Sequence, residues 1–492
     1  DSLFRWLDLF VIILSFVLVF VLGFLLSRRS RSSEGYFLAG RHMPGWVVGF
    51  SIMATIVSSM SFLGHPGFSY AKNWRYIPGY FGYFIALAMA IYIFMPFFRR
   101  LRVNTAYEYL EHRFGAWARY YVALGFILLQ MCRMGIILYA VSLPVQAMFG
   151  FPLVWIIIVF GTAIGIYTIV GGLEAVIWAD LMQGIALILG GLICLPIICS
   201  KLPGGFMQII NEGYAAGKMS LGSMEWDWAE RGFWVMAMAS VFDWSQKACT
   251  DQTYIQRYCA PSSEREGVKA LIIGAVTSLP VWMYFIFIGT ALWVFYQTFH
   301  RPEVTEMVPE KVFPFFILTE LPAGVAGFVV AGLLAAAMSS LDSSINAAAS
   351  TATSDFYKRA FFADRSERHY FYAGVGFSVF FTVAMILIAI LIHFFRQGTL
   401  NDLQNVLMYT FTSGLLGIFM LGFATKRVGN IAALISMIFT VLVVIVWVIL
   451  KMPTMMASYP FLRSLPNTFW LPVFSNCLLF FLGYGLSLAL PR

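Results

Sequence analysis

Asp342 stands in AAAMSSLDSSIN, a stretch otherwise made mostly of alanine, leucine and methionine, with Ser339 before it and Ser343 and Asn346 after it. Offsets of three, four and seven place Ser339, Asp342, Ser343 and Asn346 on one face of a helix. A carboxylate among hydroxyls is a set of hard oxygen ligands, the kind that sodium or calcium takes. A lone serine in a membrane helix usually bonds back to its own turn, but four serines around one carboxylate read better as a cation site than as packing. A second polar group lies in GWVVGFSIMATIVSSMSFLGHPGFSY, which carries Thr55, Ser58, Ser59 and Ser61 and then Gly64, His65, Pro66 and Gly67. A helix so interrupted is expected to unwind, the Gly64 to Gly67 run being more disruption than close packing needs; the alternative is a Gly/Ser packing face. Freed carbonyls at membrane depth are tolerated where they line a cavity, and they are good ligands for a hard cation.

A third group comprises Asp243, Ser245, Gln246, Lys247, Thr250, Asp251 and Gln252. In a continuous helix Asp243, Lys247 and Asp251 would stack one cation between two carboxylates, a purely structural ladder. In an unwound one they would point at a ligand. Arg133, halfway along LLQMCRMGIILYA, costs about 2.5 to 3.5 kcal/mol at the centre of a membrane helix and so calls for an anionic partner. That partner is either a carboxylate of the protein or one on a substrate, held bidentately. Asp180, in GGLEAVIWADLMQG, could face the serines near Asp342, whereas Glu174 is expected to be solvated.

The elements that must position these groups follow from composition. Of 492 residues 60% are hydrophobic and 11% charged, and the mean hydropathy is +0.80, so lipid is the solvent. Apolar runs of about 20 residues mean membrane-spanning helices, and the short alternating segments of a β-barrel are not seen. The chain is therefore expected to be an all-α polytopic membrane protein. Spans are predicted near 6–26, 45–71, 77–98, 118–149, 151–170, 175–200, 232–256, 267–298, 323–356, 369–395, 403–424, 429–450 and 467–490. The first begins close to Asp1 with no signal-peptide pattern before it and is expected to stay.

The net charge of +8 is spread over short loops and marks topology, not a nucleic-acid footprint. Arg28, Arg29, Arg31 and Arg41, then Arg99, Arg100 and Arg102, Arg257, Lys358 and Arg359, and Lys426 and Arg427 fall on one alternating set of loops. The positive-inside rule puts that set in the cytoplasm, with the amino terminus outside and the carboxyl terminus inside. The six cysteines form no metal-like pair and read as packing residues. The six histidines are scattered, only His65 lies near the polar groups, and no serine sits in a GxSxG elbow, so an enzyme is not indicated.

YFLAGRHMPGWVVGFSIMAT at 36–55, GGLEAVIWADLMQG at 171–184, IQRY at 255–258 and AAAMSSLDSSIN at 335–346 resemble, in order and spacing, characteristic segments of the sodium/solute symporter family. The resemblance is strongest to its bacterial sodium-coupled sialic acid transporters. It implies a LeuT fold of about thirteen helices. An extra helix lies in 1–35, inverted five-helix repeats in 36–200 and 201–424, and two further helices in 425–492. It also implies alternating access in a plasma (inner) membrane, a small-molecule substrate and the lipid bilayer as partners with no nucleic acid, and a monomer. By position, a main sodium site would use the carbonyls of Ala54, Val57 and Ala336 and the hydroxyls of Ser339 and Ser340. A second sodium site would use Asp180, Ser339, Asp342 and Ser343, although the sialic acid branch carries serine where Asp342 stands.

For the solute, the resemblance implies that Arg133 with Ser58, Ser59 and Ser61 holds the sugar-acid carboxylate while Tyr76 and Tyr80 line the pocket. Tyr80 replaces the acidic residue of the sugar-transporting branch, and Ile56 replaces a hydroxyl residue, which Lys247 and Asp251 would compensate. The rival readings are a symporter of a neutral solute, with Arg133 paired inside the protein, and a membrane sensor module.

Overall fold

The computed structural model describes residues 6–27, 33–101, 105–230, 232–395, 408 and 410–490. No strand occurs among them, and the helices that shape the site are numbered here in chain order. An amino-terminal helix α1 (Trp6–Ser27) precedes the pair α2 (Gly45–Ile56) and α3 (Ser59–Ala71), which bend by 49° at their junction. The next helical stretch is α4 (Phe81–Met89), prolonged to Leu101 through one π-helical turn. A short amphipathic α5 (Tyr107–Phe114) then leads into α6 (Ala116–Phe149) and the long α7 (Leu153–Lys201).

The second broken pair is α8 (Phe233–Thr250) and α9 (Gln252–Cys259). After it come α10 (Glu264–Thr298), α11 (Pro309–Glu320) and α12 (Val325–Thr351), which a π-helical segment carries on to Phe361. The chain finishes with α13 (Glu367–Phe395), α14 (Leu415–Ala424), α15 (Asn430–Leu450) and α16 (Leu471–Ala489).

Among the described residues eight helical stretches are long and apolar enough to cross a membrane, or nine with the bent α2–α3 pair counted as one. The count falls below the predicted spans for physical reasons. Helices α8 and α9 are each cut short by the break, and the predicted spans at 151–170 and 175–200 run together as α7, kinked at Gly172. That residue has φ +60° and ψ −167°, a conformation open to glycine, and a Cβ there would come within 2.8 Å of the Tyr36 ring. Residues 403–407 of the predicted eleventh span, and Arg28, Arg29, Arg31 and Arg102 of the basic loops, lie outside the described residues.

Helix α12 sits at the centre. Its most apolar window is 89% buried, against 28% for α13, which faces lipid. Polar side chains can therefore accumulate on α12 without meeting hydrocarbon. Close approach between helices relies on small residues. Gly332 of α12 lies against the backbone of α7 at Ala186, and Gly49 of α2 and Gly274 of α10 each lie under the isoleucine of the other helix, Ile273 and Ile52.

The Gly64 to Gly67 run, expected to unwind, is part of helix α3. A Cβ on Gly67 would meet the Glu310 backbone at 2.8 Å, and one on Gly289 would meet the Pro66 carbonyl at 2.3 Å. At Pro66 and Gly67 close packing is the operative reason, whereas Gly64 has open space beside it and lines the cavity with His65; the unwinding lies upstream of all four.

The far end of α12 is held by charge. Arg119 of α6 is 7% exposed and donates from Nε to Asp355 at 2.6 Å and from Nη1 to Glu111 at 2.8 Å. Arg359 donates to the same Glu111 at 2.7 Å, and Thr105 to Asp355 at 2.7 Å, so α5, α6 and α12 are tied together on one side of the bundle.

Candidate functional site

Val57 marks the end of α2: its N–H donates to Met53 at 2.8 Å, but its φ and ψ of −83° and 79° are not helical. Ser58 is extended, and its own carbonyl restarts the ladder by accepting from Ser61 and Phe62. The carbonyls just before the break turn to α12. Ser339 donates to Ala54 at 2.8 Å and shares itself with Ala336 at 3.1 Å; Ser340 lies 3.4 Å from the Thr55 carbonyl and 3.3 Å from Ala336. Ala54, Ala336, Ser339 and Ser340 are thus brought together as expected from the resemblance. The Thr55 carbonyl joins them, and Val57 makes no bond to α12 among the described residues. Three carbonyls and two hydroxyls on facing helices make an oxygen cage suited to a hard monovalent cation.

A second cluster lies beside the first. Asp180 of α7 and Asp342 of α12 are both fully buried, as is Ser343. Between them stands a residue that the sequence reading had left among the loop cations: Arg257 of α9, only 1% exposed. Its Nη2 donates to Asp180 at 3.0 Å and to Ser343, its Nε to Ser51 at 2.9 Å and its Nη1 to the Thr253 carbonyl at 3.0 Å. Ser51 also donates to Asp180 at 2.5 Å, and Asp342 accepts from Ser343 at 3.1 Å. One oxygen of each carboxylate, Asp180 Oδ1 and Asp342 Oδ2, has no hydrogen-bond partner among the described residues. Of the expected set, Asp180 and Ser343 meet at the Arg257 guanidinium, while Asp342 and the Ser339 carbonyl both accept from Ser343. The one available signal was IQRY directly after a broken span, where a basic residue follows the break by one and a half turns. Glu174, expected in solvent, is buried at 3% and lies 3.6 Å from His42.

Directly after the Ala54 and Thr55 carbonyls the chain enters the wall of a cavity of about 790 Å³, through Ile56 and Ser58. Ile56, Ser58, Ser61 and Tyr76 from the first broken pair and its sequel line one side of it, and Arg133 of α6 another. Ser59 and Tyr80, expected at the solute, do not line it. Ser59 is fully buried, and Tyr80 stacks on Trp282 at 4.9 Å with its hydroxyl 3.5 Å from His65, so it supports His65 from behind. Lys247 and Asp251 both face the cavity, but the predicted carboxylate ladder is not formed. Helix α8 ends at Thr250; Lys247 pairs with Asp243 at 2.8 Å, while Asp251 caps α9 by accepting from the Thr253 N–H at 2.8 Å. Arg133 forms no hydrogen bond or ion pair with a described residue, although Asp251 is close enough to act on it electrostatically.

Two broken helices lining one solute-sized cavity, the first of them facing an oxygen cage, are the pattern of a secondary transporter. A family model described as the sodium:solute symporter family matches residues 36–440. The chain belongs to that family: it is a multi-pass, sodium-coupled transporter and not an enzyme.

Among curated relatives, the sodium/sialic acid symporter SiaT of Proteus mirabilis is 31% identical over 426 residues, covering 86% of each chain. The sodium/sialic acid symporter NanT of Aliivibrio fischeri is 29% identical over 87% of this chain and 85% of its own. Human sodium-coupled monocarboxylate transporter 1 is 28% identical over 83% of this chain and 67% of its own. A solved structure of a substrate-bound, outward-open Na+-coupled sialic acid symporter superposes with a TM-score of 0.88 at 29% identity, covering 99% of this chain and 98% of that one. The fold is accordingly all-α and LeuT-like.

Proposed function

We propose that this protein carries a small organic anion, sialic acid in the first place, into the cell with two sodium ions. One observation supports the anion most directly: Arg133 faces the cavity with no carboxylate of a described residue within ion-pairing distance. Its anionic partner is then the solute. Ser58 and Ser61 stand on the same cavity and would share the carboxylate, with Tyr76, Lys247 and Asp251 completing the wall. Ala54, Ala336, Ser339 and Ser340 would hold the first sodium ion, Val57 closing the cage only after a small local movement. Asp180, Asp342 and Ser343 would hold the second beside Arg257.

Energetics favour two ions. Each sodium ion gains about 2.3 kcal/mol per 100 mV of inside-negative potential, plus about 1.4 kcal/mol for a tenfold gradient. Two therefore supply about 7.4 kcal/mol against the 2.3 or so that an anion costs, leaving about 5 kcal/mol to concentrate it. The breaks at Val57–Ser58 and at Asp251 support inverted repeats in 36–200 and 201–424, with residues 1–35 and 425–492 added at the ends. With the amino terminus outside, in an inner plasma membrane, the Arg119 cluster would face the cytoplasm.

The test is a thermal-shift and calorimetric screen of purified protein with N-acetylneuraminate, neutral hexoses and small carboxylates, each in sodium and in potassium. Binding of the sugar acid in sodium alone, weakened at least tenfold in Arg133→Ala, supports the proposal. A neutral hexose bound in sodium, with Arg133→Ala indifferent, would replace the solute by a neutral one.

A further inference from the structure

Gln246 of α8 is 4% exposed yet forms part of the cavity wall, and the direction of its amide is set from the last span. The Gly417 backbone N–H can only donate, so the Asn476 atom that it meets at 2.7 Å is the side-chain oxygen. Asn476 Nδ2 must then donate, and it does so to Gln246 Oε1 at 3.0 Å and to the Pro472 carbonyl at 2.7 Å. This leaves Gln246 Nε2 turned to Thr412, whose oxygen accepts at 2.7 Å while its hydroxyl donates to the Met408 carbonyl at 2.8 Å. Every group in this series has one role, so the glutamine amide cannot flip without losing bonds at both ends. An amide nitrogen carries two hydrogens, and Thr412 takes one. The other has no acceptor among the described residues.

We infer that Gln246 is a solute-binding residue that donates this second N–H to an uncharged oxygen of the transported solute, and that Asn476 of α16 is the positioning residue that holds it so. The identity of the solute rests on the sugar-acid reading above; the existence of the donor does not. The other polar groups nearby on α8 are committed elsewhere. Lys247 is held by Asp243, Thr250 donates to the Gln246 carbonyl at 2.6 Å, and Asp251 can only accept. Arg133 recognises charge, and Gln246 supplies a neutral donor for a hydroxyl, ring or acyl oxygen. A site that buries a preset donor rejects solutes lacking the matching acceptor, so Gln246 separates anions that Arg133 alone would treat alike.

Calorimetric titration of the full chain with N-acetylneuraminate in sodium tests this, with Gln246→Leu and the near-isosteric Gln246→Met read in parallel. Solute affinity should fall about tenfold or more in both, while stabilisation by sodium alone stays unchanged. Asn476→Leu should weaken the solute by a smaller factor, and Asn476→Leu combined with Gln246→Met should be no weaker than Gln246→Met alone, because Asn476 acts through Gln246. Wild-type solute affinity in a Gln246 variant that still responds to sodium overturns the donor, and additive losses in the double variant overturn the positioning role. A wild-type protein indifferent to N-acetylneuraminate refutes the sugar-acid reading instead, and the donor is then judged by the same variants on the solute that the screen shows to bind in sodium.

Discussion

Asp180 and Asp342 are both closed off from solvent; among the described residues Arg257 pairs with Asp180, while Asp342 is met by Ser343 and by no cation. The formal charge of this cluster is therefore one short of neutral, and a sodium ion is the group that would balance it. Two substitutions read this balance. Removing the cation in Arg257→Leu leaves uncompensated buried carboxylates and should destabilise the protein by about 3–5 kcal/mol, seen as a large drop in the midpoint of thermal unfolding in detergent. Asp342→Ser should fold well but require several times more sodium for half-maximal thermal stabilisation; an unchanged sodium titration would take Asp342 out of the ion site. Much at this scale was legible in the sequence, because Ser339, Asp342 and Ser343 declare a shared face by spacing alone. Arg257 was not legible, since one basic residue beside a predicted loop looks the same whether it meets water or a buried carboxylate.

Elements translate these groups into geometry through their breaks and kinks. Gly172 holds α7 in a conformation that a side chain would both strain and crowd against Tyr36. Gly172→Ala should cost at least about 1 kcal/mol, measured as lost thermal stability. The link between α5, α6 and the end of α12 responds to pH. Glu111 is held below the ordinary carboxylate range, first by the hydrogen bond from Arg359 and then by that from Arg119, against partial burial. A depressed value means that Glu111 stabilises the fold fully above its unfolded value and loses that contribution as pH falls through the folded one. The acid limb of a stability profile should therefore flatten in Glu111→Gln, and an identical profile would show the link to be inert. The breaks themselves were only partly legible. The Gly64 to Gly67 run advertises disruption but stays helical, with Gly67 packed on Glu310, whereas Val57 and Ser58, which do unwind, carry no special residue type.

At the scale of the whole molecule, the proposed two sodium ions with one monovalent anion would move one net positive charge inward per cycle. Proteoliposomes should accordingly take up solute faster when a potassium diffusion potential makes the interior negative, with a sodium dependence steeper than first order. Voltage-indifferent uptake with a simple hyperbolic sodium curve would leave only one coupled ion. The terminal spans also act on the core. Asp8 of α1 accepts from the N–H groups of Gly324 and Gly327 at 2.6 and 2.8 Å, which caps the start of α12 with a carboxylate at the positive end of its dipole. Asp8→Ala should lower the unfolding midpoint by an amount corresponding to about 1–2 kcal/mol, whereas an unaltered midpoint would mean that the cap is dispensable.

By itself the sequence determined the solvent of this protein, its helical class, the oxygen-rich face of α12 and the isolated cation on α6, because each depends on local composition and on spacing along a single helix. Tertiary structure decided the remainder. Which carbonyls leave the ladder at Val57, which carboxylate pairs with Arg257, that Tyr80 stands behind His65 and that Asn476 sets the Gln246 amide all depend on partners far apart in the chain. Such pairings are fixed when buried polar groups must satisfy one another in a medium without water, a condition set by the packed bundle and not by any one segment.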